Sequence, residues 1–175
     1  VVQQGSSQWQ VDSGQYVLDL DAPPAPAEAE PLPDQAPPED AAEHWIGRAG
    51  ELEAFDPDAA EEAYRRAIAV DGGSLAAYVN LGCLLQASGR PAPAAQVYRE
   101  AIGRFPDEPL LHFNLGTALE DLGRPDDAVP AYERAIALDG GFADAHYNLA
   151  KLHEARGRTQ DAIRHLASYR RLVRD

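Results

Sequence analysis

Asn80, Asn114 and Asn148 stand 34 residues apart, each followed by leucine, in VNLGCLL (79–85), FNLGTAL (113–119) and YNLAKLH (147–153). A carboxamide carries a donor and an acceptor together. A row of three on one surface could therefore bind both polar groups of an extended peptide backbone without reading its side chains. In the alternative reading the same side chains support the fold from within. Val79, Phe113 and Tyr147 precede the three asparagines and form an apolar column beside them, suited to a ligand's side chains.

Other chemistry is sparse. His146 and His153 lie seven residues apart and His112 holds the place of His146 one period earlier, but no Cys or carboxylate completes a metal-ligand set, so they read as packing residues and no metal is expected. Cys83, the single cysteine, cannot form an internal disulfide and has no matched His and acid, so it reads as a small packing residue and not a nucleophile. No phosphate loop or nucleophile elbow occurs. The expectation is a protein without catalytic residues or cofactor.

Around the asparagines the chain repeats itself. YRRAIAVDGG (64–73) returns as YERAIALDGG (132–141), with YREAIGRFPD (98–107) midway, and Gly-Arg recurs at 89, 123 and 157. A constant period shared by independent sub-motifs marks a repeat architecture. From residue 42 the apolar periodicity is helical. In each repeat a first helix ends near Gly-Arg and a second opens with Pro or acidic residues (Pro57-Asp58, Pro91, Pro125-Asp126-Asp127, Gln160-Asp161), which suit a helix N-terminus. Gly72-Gly73 and Gly140-Gly141 are expected to supply left-handed stops, and Pro130, inside a second helix, a kink.

The N-terminal part differs. Residues 1–41 hold eight acidic residues and no Lys or Arg, and 21–41 form an acidic Pro-rich linker too poor in large apolar groups to fold, hence disordered. Within 1–20, Tyr16, Leu18 and Leu20 alternate with Val17 and Asp19 after a turn at Asp12-Ser13-Gly14, reading as a short hairpin or a strand awaiting a partner. A net charge of −14 argues against nucleic-acid and anionic-membrane binding. No long apolar run or leader is visible, so the expectation is a soluble, cytoplasmic protein. Its arginine bias, with Lys151 the sole lysine, suggests a bacterial source.

The pattern resembles the tetratricopeptide (TPR) repeat family. Residues 75–108 match with Tyr78, Leu81, Gly82, Leu85, Ala94, Tyr98, Ala101 and Pro106; 109–142 with Leu115, Gly116, Leu119, Ala128, Tyr132 and Ala135. Residues 143–175 keep Leu149 and Ala162 but carry Ala150, Leu166 and Tyr169 at the Gly, aromatic and Ala places. Residues 42–74 keep Ala60, Tyr64 and Ala67, and fit Trp45, Ala49 and Leu52 if one loop residue is missing. The resemblance implies an all-α, right-handed α-solenoid of about four helix-turn-helix repeats over 42–175, whose first helices line a concave groove.

Carried over by position, that groove would include Val79, Asn80, Cys83, Phe113, Asn114, Thr117, Glu120, Tyr147, Asn148 and Lys151. The implied function is a non-enzymatic scaffold holding a protein or peptide segment. Some relatives clamp a terminal carboxylate with Lys and Arg, which these places largely lack, with Glu120, Asp121, Asp144 and Glu154 nearby. Two further readings are that the chain's own YVLDL segment occupies a solenoid surface, in cis or in trans, and that the terminal repeat, where Tyr169 stands in place of a small residue, either ends in an unusual helix or presents an apolar face that a second copy covers as a homodimer. The layout of strand, acidic linker and repeats also faintly resembles the regulatory half of a bacterial MerR-type transcription regulator.

Overall fold

The computed structural model describes residues 2–4, 7–9, 16–18 and 41–174; the linker expected over 21–41 falls outside them except for its last residue, as does the turn at Asp12-Ser13-Gly14. The contacts divide the chain into two units, 1–36 and 37–175. Among the described residues the first holds three short strands, β1 (Val2–Gln4), β2 (Ser7–Trp9) and β3 (Tyr16–Leu18), in an antiparallel sheet of order β1-β2-β3. Trp9 pairs with Tyr16 and Ser7 with Leu18, which makes the expected hairpin, while Val2 pairs with Trp9 to add a strand that the Gln-rich start does not announce.

The second unit is helical: α1 (Ala41–Leu52), α2 (Pro57–Val70), α3 (Leu75–Ala87), α4 (Pro91–Arg104), α5 (Pro109–Asp121), α6 (Pro125–Leu138), α7 (Ala143–Ala155) and α8 (Thr159–Leu172). The bounds of α3 and α4 recur one period later in α5 and α6, and again in α7 and α8. Proline opens α2, α4, α5 and α6, where its missing N–H removes no helical bond. Asp56 and Ser74 cap α2 and α3 by accepting from the Ala59 and Ala77 amides at 3.0 and 3.4 Å.

Where helices stop differs from expectation. Among the described residues positive φ is confined to Gly89, Gly123 and Gly157, at 70°, 70° and 71°. These end α3, α5 and α7, and the next amide, of Arg90, Arg124 or Arg158, turns back to donate to Leu85, Leu119 or His153 at 2.8–2.9 Å. Gly72-Gly73 and Gly140-Gly141 are not left-handed stops. After α2 and α6 the carboxylates of Asp71 and Asp139 accept from the Gly73 and Gly141 amides at 2.8 Å, closing the turn by a side chain instead. Helix α6 continues through the exposed Pro130 to Leu138.

Each helix packs chiefly on the ones before and after it, with α3 also touching α5. Ala60, Ala94 and Ala128 are fully buried, and so are Tyr64, Tyr78, Tyr98, Tyr132, Leu81, Leu85, Leu111 and Leu149 at under 2% exposure. Ala49 is fully buried with Trp45 and Leu52 packed against the same core, the register that a shortened first loop requires. A Cβ built on Gly82 would strike the Tyr98 ring, and one on Gly116 the Tyr132 ring. The Tyr98 and Tyr132 rings thus fill the space inside their own hairpins.

Candidate functional site

Three tyrosines end in the same kind of bond. The Tyr64 hydroxyl donates to Glu53 Oε1 at 2.5 Å, Tyr98 to Gln86 Oε1 at 3.1 Å and Tyr132 to Glu120 Oε2 at 2.5 Å. Burial comes first among the causes that push all three phenols above their ordinary pKa, and a neighbouring acceptor adds to it: Glu53 for Tyr64, Cys83 for Tyr98 and Glu120 for Tyr132.

The asparagine column meets this row from the following repeat. Asn148 Nδ2 donates to the Tyr132 hydroxyl at 3.2 Å, and Asn80 faces the Tyr64 hydroxyl. Asn114 departs from the pattern: it is 8% exposed and its Nδ2 has no partner. The Tyr98 hydroxyl, one period before that of Tyr132, is engaged by Gln86 and, at 3.6 Å, by the sulfur of the exposed Cys83. The column therefore clasps the preceding repeat at Asn148, faces it at Asn80 and holds an unsatisfied donor at Asn114.

Around it, Thr117 Oγ1 donates to the Asn114 carbonyl at 2.8 Å and accepts from Gln86 Nε2 at 3.3 Å, tying α3 to α5. Val79 and Phe113 are half-buried against the core, Phe113 lying 5.6 and 5.0 Å from the Tyr132 and Phe142 rings. Tyr147 alone of that column is strongly exposed, at 44%. It packs against Tyr169 with ring centroids 5.2 Å apart and planes tilted by 46°, and Lys151 Nζ lies 5.8 Å from its ring. Among the candidate residues, then, Cys83, Tyr147 and Lys151 are exposed, Asn114 is buried, and the rest are half-buried.

Sequence reading missed two features. Cross-repeat ion pairs join Arg90 to Glu61, Arg134 to Asp107 and Arg156 to Asp126. At Glu61 burial opposes ionisation, but the Arg65 and Arg90 guanidiniums together prevail and hold the carboxyl below its ordinary range. The second is a row of imidazoles: His165 Nδ1 is 2.9 Å from His146 Nδ1, and the His165 ring lies 5.2 and 5.4 Å from those of His146 and His153. Burial, first among the causes, lowers the pKa of all three, and nearby arginines add to it. Among the described residues no group of three or more His, Cys, Asp or Glu is arranged to hold a metal. His112 instead meets the Pro106 carbonyl at 2.9 Å.

Two family models described as tetratricopeptide repeat match the sequence, at residues 51–119 and 113–175. The chain belongs to the tetratricopeptide repeat family. Its TPR array is similar to solved TPR structures: to MamA, with a TM-score of 0.70 and 20% identity over 78% of this chain and 80% of that one; to PilF of Pseudomonas aeruginosa, at 0.69 and 21% over 76% and 61%; and to YrrB, a TPR protein with an unusual peptide-binding site, at 0.64 and 21% over 77% and 70%. No curated relative matches the sequence. At these identities the likeness shows the fold, a right-handed TPR solenoid, and TPR solenoids are in general non-enzymatic scaffolds for protein partners. No helix among the described residues is long and apolar enough to cross a membrane.

Proposed function

We propose that this TPR array is a scaffold that holds an extended protein segment along its first helices, on a surface running from Asn80 and Cys83 to Tyr147 and Lys151. The exposed ring of Tyr147 carries the reading. An aromatic with a polar tip, held by packing against Tyr169, offers large contact area at little further loss of conformational freedom, which is the character of an interface anchor. Asn148 stands beside it in sequence, with its amide committed to Tyr132 and its carbonyl oxygen available to a peptide N–H.

The test is affinity capture from the source cell with the intact chain and with Tyr147→Ala, after circular dichroism has shown equal helicity. A protein recovered by the first and lost from the second supports the groove. Equal recovery of the same protein rejects it.

A further inference from the structure

Repeats one to three each contain a buried tyrosine whose hydroxyl donates to a side chain in the last turn of the preceding helix, Gln86 or Glu120, or just past its end, Glu53. The fourth repeat keeps the acceptor, Glu154, one period after Glu120. It lacks the donor, because Leu166 stands one period after Tyr132. Leucine is shorter than tyrosine and has no polar tip. Beside it a pocket of about 280 Å³ lies open, lined by Tyr147, Ala150, Lys151, Glu154, Ala162 and Leu166 among others. In repeats two and three the corresponding space, over Gly82 and Gly116, is occupied by the Tyr98 and Tyr132 rings.

Glu154 is exposed, and neither it nor Lys151 belongs to an ion pair among the described residues. The volume is near the lower end for small-molecule sites and suits a single side chain. We infer that this pocket receives a tyrosine side chain of a bound protein segment, which reproduces in trans the tyrosine-to-acceptor bond that the first three repeats make internally. The ring packs against Ala150, Ala162 and Leu166, and the phenol donates to Glu154. The inference rests on the reading of the array as a protein-binding scaffold, and names the residue type that its last repeat selects.

The experiment titrates N-acetyltyrosinamide and N-acetylphenylalaninamide into the full chain labelled with ¹⁵N, following the amides of Ala150, Lys151, Glu154 and Leu166. Shifts confined to that group are expected, with the tyrosine amide binding about three- to tenfold tighter than the phenylalanine amide, the worth of one net hydrogen bond. Glu154→Gln should keep the preference, since Gln86 serves the same role for Tyr98, and Glu154→Ala should abolish it. Ala150→Gly with Leu166→Tyr rebuilds the arrangement of repeats two and three and should eliminate binding by filling the pocket from within. Glu154→Ala changes an exposed side chain and keeps the test decisive if that double variant does not fold.

Absence of shifts, equal affinity for the two amides, or a preference that survives Glu154→Ala would overturn the inference. The broader reading fails separately. A partner retained by Tyr147→Ala rejects the groove whatever the amides do, whereas a partner lost from Tyr147→Ala with no response to the tyrosine amide rejects the pocket alone.

Discussion

Gly116→Ala should change the sign of its effect according to what stands at residue 132. In the native chain a Cβ at Gly116 lands on the Tyr132 ring, which is fully buried and anchored to Glu120 and Asn148. It cannot withdraw without breaking both hydrogen bonds. Overpacking of this kind costs about 1–3 kcal/mol, and replacing a mid-helix glycine by alanine recovers about 0.5–1 kcal/mol. The net expectation is a loss of about 1 kcal/mol. In a Tyr132→Leu background the obstacle is gone and only the propensity gain remains, so Gly116→Ala should stabilise by about 0.5–1 kcal/mol. The fourth repeat already pairs Ala150 with Leu166. Urea unfolding followed by circular dichroism on the four members of this cycle gives the coupling directly, expected at about 1.5–2 kcal/mol. Equal effects of Gly116→Ala in the two backgrounds would refute the claim that ring and glycine are matched in repeats two and three.

Two further outcomes follow from the helices themselves. The imidazoles of His146, His153 and His165 have folded pKa values below their ordinary 6.5, so the unfolded chain takes up protons that the folded row resists. Stability of the α7–α8 hairpin should be complete above pH 6.5 and fall as the pH drops below it, with faster hydrogen exchange at Leu149 and Leu152, and with a shallower slope in His165→Gln. Pro130→Ala should stabilise by about 1–3 kcal/mol in the same urea assay, because the helix already runs unbroken past an exposed residue that can donate no backbone bond.

The repeats were legible because their cause is local and periodic. Gly82, Ala94 and Tyr98 recur at fixed spacing because the small residues sit at buried helix contacts and the ring fills the space over the glycine, and a one-residue loop deletion could be read from Trp45, Ala49 and Leu52. Less legible was what depends on direction. The asparagine column was visible, but not that Asn148 and Asn80 turn toward tyrosine hydroxyls of the preceding repeat while Asn114 does not. The glycine pairs were visible too, but Asp71 and Asp139 decide their conformation through a bond that composition does not reveal. His165 could have been joined to His146 only by knowing how α8 lies on α7. The vacant tyrosine place had a signal, Leu166 breaking a column of aromatics, and its meaning depends on Glu154 standing opposite.

The cross-repeat ion pairs have a consequence for how such a chain can change length. Arg90 reaches back to Glu61 and Arg156 to Asp126, so each bond closes a seam between one unit and the next and none spans two. Helices likewise touch little beyond their neighbours. A duplication or excision of one whole unit therefore leaves every surviving seam chemically intact and creates only one new join, between surfaces already selected to fit a near copy. A cut at any other length would misalign glycine against tyrosine at once. The array is thus extensible in quanta, and the size of the surface it offers is free to follow the gene's copy number of that unit without a redesign of its interior.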